Sequence, residues 1–235
     1  MNKISIIIIT KDNLKDLIKT LKCLISSNAF QIIVIDGSEF DQRRYLSKEI
    51  ISKINIYIQE KDDGIYDAMN KGIRYCSCEW SMFINSGDIL NSSFIEQIQY
   101  ANNFFKPNIL IYGNTLTSKG KQIKPGIINK IKSYMPFCHQ SVIYPTNLLK
   151  KYKFDLRYHI GSDYDQLLRI YNDNIEFKWV NYDISTIDIF GTSNKKKFKT
   201  IYEWYLISKK NMDKNFNIFL WLFDIISYLF ASKLK

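Results

Sequence analysis

Four strand-length apolar runs, at 4–9, 32–35, 54–58 and 80–84, alternate with helix-patterned segments across the first hundred residues. After the first run, Leu14, Leu17, Ile18, Leu21, Leu24 and Ile25 share one helical face, while Lys15, Lys19 and Lys22 turn outward. A helix carrying Leu46, Ile50 and Ile51 joins the second run to the third. Ile65, Ala68, Met69, Gly72 and Ile73 follow at i, i+3, i+4, i+7 and i+8. A further helix begins at about Ser92, with Phe94, Ile95 and Ile98 on its apolar side. Strand and helix in strict alternation require a parallel sheet, because right-handed crossovers lay helices on both of its faces. The expectation is a Rossmann-like α/β fold with a mostly parallel sheet.

The second half is less regular. Strands are expected at 109–112, 141–144 and 177–180, the last closing the sheet, with an extended hairpin region at 113–126 and a helix at 162–171. No repeat or low-complexity linker interrupts the chain, so one domain is expected over 1–193. Residues 194–235 form a separate basic, aromatic, helical segment of amphipathic helices.

Charge sharpens the division. The formal net charge is +10 at pH 7, and it is unevenly spread. No acid occurs between Glu96 and Asp155, where nine lysines fall, and residues 195–235 hold nine lysines against three acids. Such asymmetry suits anionic partners such as a diphosphate or an acidic membrane face. Nucleic acid ranks well below these, since no nucleic-acid motif accompanies the charge. The four cysteines lack metal-ligand spacing and read as reduced thiols, which fits a cytosolic setting. The first run is too short to serve as a secretory leader.

Residues 216–230 are apolar nearly all round, with Asn217, Asp224 and Ser227 as the polar stripe and lysines at both flanks. As a helix this stretch is about 22 Å long, short of the ~30 Å hydrocarbon core of a bilayer. Its composition suits a helix lying in the membrane interface. A helix packed on its own domain, or paired in a homodimer, is the competing reading.

Chemistry concentrates at the ends of the predicted strands. Asp36 ends the second strand at a sheet carboxyl edge, where a carboxylate can accept hydrogen bonds from a base or ribose; a turn cap before Gly37-Ser38 is the alternative. Asp62-Asp63-Gly64 opens the third helix, and Asp-Gly is also a common turn. Asp88 arrives just past the fourth strand. The segments Ile8-Ile9-Thr10-Lys11-Asp12-Asn13, Val34-Ile35-Asp36-Gly37-Ser38, 59–73, Phe83-Ile84-Asn85-Ser86-Gly87-Asp88, Cys138-His139-Gln140-Ser141 and Gly161-Ser162-Asp163-Tyr164-Asp165 occur in this order. In that order they resemble the nucleotide-sugar-dependent glycosyltransferases of family 2, which have a GT-A fold. The likeness covers residues 3–193 and is greatest to the branch that builds bacterial surface polysaccharides, such as colanic acid, O-antigen and capsule.

The resemblance implies roles. Residues 1–112 would form the nucleotide-sugar half and 113–193 the acceptor half. Asp36 would contact the nucleoside, with Thr10 and Asp63 lining the same pocket and Ser86 and Gly87 beside the donor. Asp88 would hold a divalent metal, Mn or Mg, although Ser86-Gly87-Asp88 lacks the first acid of the Asp-x-Asp arrangement common among relatives. Asp163 would be the general base of an inverting reaction, with Asp165 as the weaker candidate and Ser162 as an equally good helix cap. His139 would lie near the diphosphate or the acceptor, as a metal ligand, phosphate donor or structural hydrogen-bonder. The implied donor is a nucleotide diphosphosugar, UDP-linked by preference, and the acceptor a lipid-linked glycan. The protein would then sit peripherally on the cytoplasmic face of the bacterial plasma membrane, held through 195–235. Two other readings stand beside this one. A nucleotidyltransferase would want a Gly- and Arg-rich phosphate loop near the N-terminus, which residues 10–13 do not supply. A catalytically inactive scaffold draws on the reduced acidic motif.

Overall fold

A computed structural model describes residues 4–100, 108–188 and 197–233, apart from the side chains of 99, 100, 213 and 231–233. The four apolar runs form strands β1 (Ile4–Thr10), β2 (Phe30–Asp36), β3 (Ile56–Gln59) and β4 (Trp80–Asn85). They lie side by side in the order β3-β2-β1-β4, and every pair is parallel. All seven residues of β1 and of β2 are buried, as expected of strands covered on both faces. Alternate side chains divide between two cores. Ile7, Ile9, Ile33 and Ile35 pack with Ala68, Met69 and Ile73 of helix α3 (Ile65–Ile73). On the other face, Ile4, Ile6, Ile8, Ile32 and Val34 meet α1 (Leu14–Leu24), α2 (Lys48–Lys53) and α4 (Ser92–Tyr100). Gly72 lets α3 approach the sheet, since a Cβ there would fall 2.4 Å from the Ile7 side chain.

The register brings the carboxyl ends of these strands together. Thr10 stands opposite Asp36, Asp36 opposite Gln59, and Ile9 opposite Asn85. Thr10, Asp36 and the Asn85 that leads into Asp88 therefore share one edge, which is where parallel sheets bind ligands.

Beyond β4 the sheet continues through β8 (Val142–Pro145), β6 (Ile109–Thr117), β9 (Glu176–Ile187) and the two-residue β5 (Ile89–Leu90), with β7 (Gln122–Ile123) forming a hairpin on β6. The β4–β8, β8–β6 and β9–β5 pairs are antiparallel, while β6 and β9 run parallel. Two expectations need correction. The strand expected at 109–112 runs on to Thr117, and the one expected at 177–180 spans Glu176–Ile187. Nor does β9 close the sheet, because β5 pairs along its far side. Both extensions are polar, so an apolar run could not reveal them. They are held by buried hydroxyl pairs, Thr115 to Ser141 and Ser141 to Ser185, each at 2.7 Å.

Helices α5 (Thr146–Lys151) and α6 (Ser162–Asn172) follow β8, and α7 (Lys197–Met212) and α8 (Ile218–Lys233) complete the described chain. The expected boundary at 193 lies outside the described residues. The last two helices share a core with the rest of the described chain. Trp221 and Ile225 of α8 are buried in the α3-side core together with Trp204 and Ile207 of α7. Asp224 faces the same way, 2.5 Å from Lys130 Nζ and 2.7 Å from Ser133 Oγ, and Trp221 Nε1 donates to the Ser133 carbonyl at 3.0 Å. The helix thus turns its one acid inward and leaves Phe219, Phe223 and Phe230 outward, at 80%, 65% and 65% exposed. One face is packed on its own domain, and the opposite face is an apolar surface.

Candidate active site

The site lies along the carboxyl edge of β1, β2 and β4. At the β2 corner, Asp36 is fully buried and saturated from within. Its Oδ1 accepts from the Ser38 backbone N–H (3.0 Å), the Ser38 hydroxyl and Gln42 Nε2 (3.0 Å), and its Oδ2 from the Tyr57 hydroxyl (2.6 Å). Burial, then the hydrogen bond to Asp36, pushes the Tyr57 phenol far above its ordinary range. The turn-capping reading of Asp36 therefore describes what its carboxylate does. Thr10 is buried beside it, with Gln42 Nε2 at 3.5 Å from its hydroxyl.

The glycine turn meets this corner through Asp62. A Cβ on Gly37 would lie 1.8 Å from Asp62 Oδ2, so only glycine admits that carboxylate over the strand end. Asp62 Oδ1 also accepts from the Gly64 N–H at 3.0 Å, and Gly64 takes the positive φ of 122° that opens α3. Asp63 is exposed. Of the two neighbouring acids, Asp62 is the one in contact with the Asp36 loop.

The turn after β4 is held by α1. Gly87 has φ 99°, and a Cβ there would meet the Asp16 carboxylate at 3.3 Å. Thr20 Oγ1 donates to the Asp88 carbonyl (2.6 Å) and accepts from the Gly87 N–H (2.9 Å), while Lys19 Nζ donates to the Gly87 carbonyl (2.7 Å). Ser86 Oγ reaches the Asn13 carbonyl at 3.5 Å. This clamp fixes Asp88, which is 7% exposed and accepts from the Asp188 N–H at 3.3 Å. Burial pushes its carboxyl up to about 7, with Asp188 and Asp16 adding repulsion against the opposing effect of Lys19.

His139 is stacked on Phe83 (centroids 5.1 Å, 24°) and boxed by Tyr144 and Phe154, each at 5.8 Å. Burial drops its pKa to about 3, so it is neutral at physiological pH and offers no cation to a phosphate. Its buried Nε2 has no hydrogen-bond partner among the described residues. Asn70 of α3 exchanges two 2.9 Å hydrogen bonds with the Phe154 backbone, which ties the box to the helix behind the glycine turn.

Asp163 sits in the first turn of α6, half-buried, with Oδ1 held by the Tyr66 hydroxyl (3.0 Å) and the Tyr164 N–H (2.9 Å). Desolvation pushes its carboxyl up to about 6 against the opposing pull of those hydrogen bonds. Asp165 is used differently. It is fully buried, bonded to Arg169 Nε at 2.8 Å and Asn211 Nδ2 at 3.0 Å. Ser162 does not cap α6; the N-cap is Gly161, without a side-chain bond. The Cys138 thiol, raised to about 12 chiefly by burial, feels both Asp88 and Asp163, so the two carboxylates border one neighbourhood.

Three residues had gone unremarked. Tyr66 disappears into an apolar helix, Asp188 follows a strand that reads as too short, and Glu203 acts on backbone groups some forty residues away. Spacing along the chain marks none of them.

This arrangement, a parallel sheet edge with a buried carboxylate after its fourth strand and an oriented one on a later helix, is that of a GT-A sugar-transferring fold. The family model for glycosyl transferase family 2 matches residues 5–154, and the chain belongs to that family. Among relatives, the chain is 21% identical over 170 residues to a PGL/p-HBAD biosynthesis glycosyltransferase of Mycobacterium tuberculosis, covering 69% of this chain and 66% of the relative. It is 22% identical over 219 residues to the poly(ribitol-phosphate) beta-N-acetylglucosaminyltransferase TarP of Staphylococcus aureus, covering 88% of this chain and 63% of that one. It thus spans about two thirds of the length of these relatives. In structure it is similar to S. aureus TarS 1–349 in complex with UDP-GlcNAc, with a TM-score of 0.70, 16% identity, and 97% of this chain and 71% of that one covered. A mannosyltransferase from Pyrobaculum calidifontis, in complex with GDP-Man and Mn2+, matches at a TM-score of 0.58 and 11% identity, over 78% of this chain and 56% of that one.

Asp88 fits a divalent ion in chemistry. It is a desolvated hard-oxygen donor with an elevated proton affinity, and Asp188 brings a second acid near it. No group of three His, Cys, Asp or Glu among the described residues forms a cation cage. An ion that keeps several waters and takes one or two carboxylates plus substrate phosphates needs none.

Proposed function

We propose that this chain is an inverting glycosyltransferase. It would move a sugar from a nucleoside diphosphosugar, UDP-linked in line with the TarS complexes, to a hydroxyl of a lipid-linked glycan. The observation that carries the proposal is Asp163, a half-buried carboxylate poised near pH 6, with one oxygen oriented by Tyr66 and Tyr164. The acceptor oxygen attacks the anomeric carbon, the bond to the diphosphate breaks with its electron pair on the leaving oxygen, and the acceptor proton passes to Asp163 Oδ2. Thr10 and the Asp36 loop line the nucleoside end, with Asp62 and Asp63 beside it. Ser86, Gly87 and His139 border the sugar diphosphate. Asp88, with Asp188 nearby, would hold a Mg or Mn, which when bound would supply positive charge for the leaving diphosphate. A thermal-shift screen of UDP-GlcNAc, UDP-glucose and UDP-galactose tests the donor assignment. A donor at 100 times its Kd stabilises the fold by about 2.7 kcal/mol. The shift should need Mn or Mg and should vanish in Asp88→Ala. No shift with any nucleotide sugar, or one indifferent to chelator, sinks that part of the proposal.

The membrane belongs to the same reading. Phe198, Tyr202 and Leu206 of α7 and Phe219, Phe223 and Phe230 of α8 are exposed, while Glu203 and Asp224 are buried. That leaves an outward surface that is apolar and lysine-rich, complementary to an anionic bilayer. No helix among the described residues is long and apolar enough to cross a membrane. The proposed location is therefore peripheral, on the inner face of the plasma membrane. Flotation with vesicles containing anionic phospholipid should carry the protein at low salt and less of it at high salt. A stable dimer that ignores vesicles would make the surface a subunit interface instead.

A further inference from the structure

Glu203 lies on α7, is 6% exposed, and points away from solvent toward the chain just ahead of the catalytic helix. Its Oε2 accepts from the N–H groups of Ile160 and Gly161, both at 2.9 Å, and its Oε1 from that of His159 at 3.3 Å. These donors run straight into the N-terminus of α6, where no side chain of the helix supplies a cap. A carboxylate from another helix instead holds the N-cap N–H and the two that precede it, and it meets three backbone dipoles rather than a cation.

The peptide group between Ile160 and Gly161 is held at both ends. Its N–H is bound by Glu203, and its carbonyl lies within hydrogen-bond reach of the Tyr66 hydroxyl. That hydroxyl is also 3.0 Å from Asp163 Oδ1. With one proton, Tyr66 donates to one of the two acceptors at a time. When Asp163 carries the acceptor's proton on Oδ2, its Oδ1 becomes a weaker acceptor and Tyr66 can turn its own proton to the Ile160 carbonyl. The unbroken sequence of contacts is Glu203, peptide 160–161, Tyr66, Asp163. Close packing leaves little slack, since a Cβ on Gly161 would sit 3.0 Å from Ile207 of the same α7 helix.

We infer that Glu203 is a positioning residue for the general base, acting through the 160–161 peptide and Tyr66. The inference rests on the assignment of Asp163 as the base. Electrostatics support it. After desolvation and the opposing hydrogen bonds from Tyr164 and Tyr66, the negative charge of Glu203 raises the proton affinity of Asp163. The other titratable groups that face Asp163 are Tyr66 from α3, and Cys138 and Tyr144 from either end of the His139 segment.

The test measures UDP release from UDP-GlcNAc, UDP-glucose and UDP-galactose, taking the donor turned over fastest, for Glu203→Gln, Glu203→Asp, Tyr66→Phe and Asp163→Asn. Glu203→Gln should lose roughly 10- to 100-fold in kcat, with KM for the donor within about two-fold of wild type. The acid limb of its kcat/KM profile should move to lower pH, because a charge that raised the base's pKa is gone. Tyr66→Phe should move that limb to higher pH, because a hydrogen bond to the charged carboxylate is lost. Glu203→Asp, which keeps the charge, should recover part of the rate. Hydrogen exchange gives a second readout independent of turnover: the amides of Ile160 and Gly161 should exchange faster in Glu203→Gln. If Asp163→Asn retains near wild-type turnover, the base assignment falls and the positioning role falls with it. If Asp163→Asn is inactive while Glu203→Gln keeps wild-type kcat and acid limb, only the positioning role is overturned. Loss of kcat, donor affinity and thermal stability together, with the acid limb unmoved, also overturns it in favour of a purely structural role.

Discussion

The corners around Asp36 and Asp163 hold the same side chain in opposite conditions. At the β2 corner, four donors from Ser38, Gln42 and Tyr57 saturate the carboxylate of a fully buried aspartate. At the α6 corner, the donors to Asp163 among the described residues, Tyr66 and Tyr164, both meet Oδ1, and burial leaves it near pH 6. The two corners thus differ in how many fixed donors meet the carboxylate, four at Asp36 against two at Asp163 among the described residues, and a carboxylate with open acceptor positions is the one we propose for proton transfer.

The largest effect should come from the open corner. Asp163→Asn is nearly isosteric but cannot accept the acceptor's proton, so kcat should fall roughly 10²-fold or more while donor binding persists. In the wild type at saturating Mn or Mg, which would keep Asp88 ionised, kcat/KM should be flat above about pH 6 and fall about ten-fold per pH unit below it, as protonation removes the base. A profile with no acid limb near that pH would erase the contrast. The closed corner should instead report in stability. Asp36→Ala strands the Ser38 N–H and the Tyr57 hydroxyl without their shared acceptor, at a cost of about 3 kcal/mol in denaturant unfolding. A rise in donor KM in the same variant would show that Asp36 serves the nucleoside as well as the loop. Tyr57→Phe removes a single 2.6 Å bond and should cost about 1.5 kcal/mol, with little change in turnover.

What the sequence makes legible follows from how local each signal is. Strands β1 to β4 are buried on both faces, so their apolar runs announce them, and the helices between carry their periodicity openly. The place of Asp163 at the start of a helix was readable from the apolar pattern that follows it, whereas its role as base came from the resemblance alone. The polar second halves of β6 and β9 were not, since Asn114, Thr115, Asp183 and Ser185 look like loop residues until their cross-strand partners are known. The orientation of α8 was equally hidden. A helix apolar on nearly every side does not say which stripe faces inward, and the choice is made by Lys130 and Ser133, more than ninety residues earlier. Glu203 is the extreme case: its partners are backbone N–H groups, which every residue but proline possesses.

The Glu203 contact also sets an order in time. Strand β2 pairs with its chain neighbours β1 and β3, and even the longer β1–β4 pairing is complete once Asn85 has been added, so the first half can form as it emerges during synthesis. The loop at 159–161 cannot acquire its carboxylate until forty further residues have been added, a delay of seconds at roughly 5–20 residues per second. Asp224 reaches back to Lys130 later still. A nascent chain would therefore shape its sheet edge well before the loop beside Asp163 is fastened, and a ribosome that stalled before residue 203 would leave that loop untied.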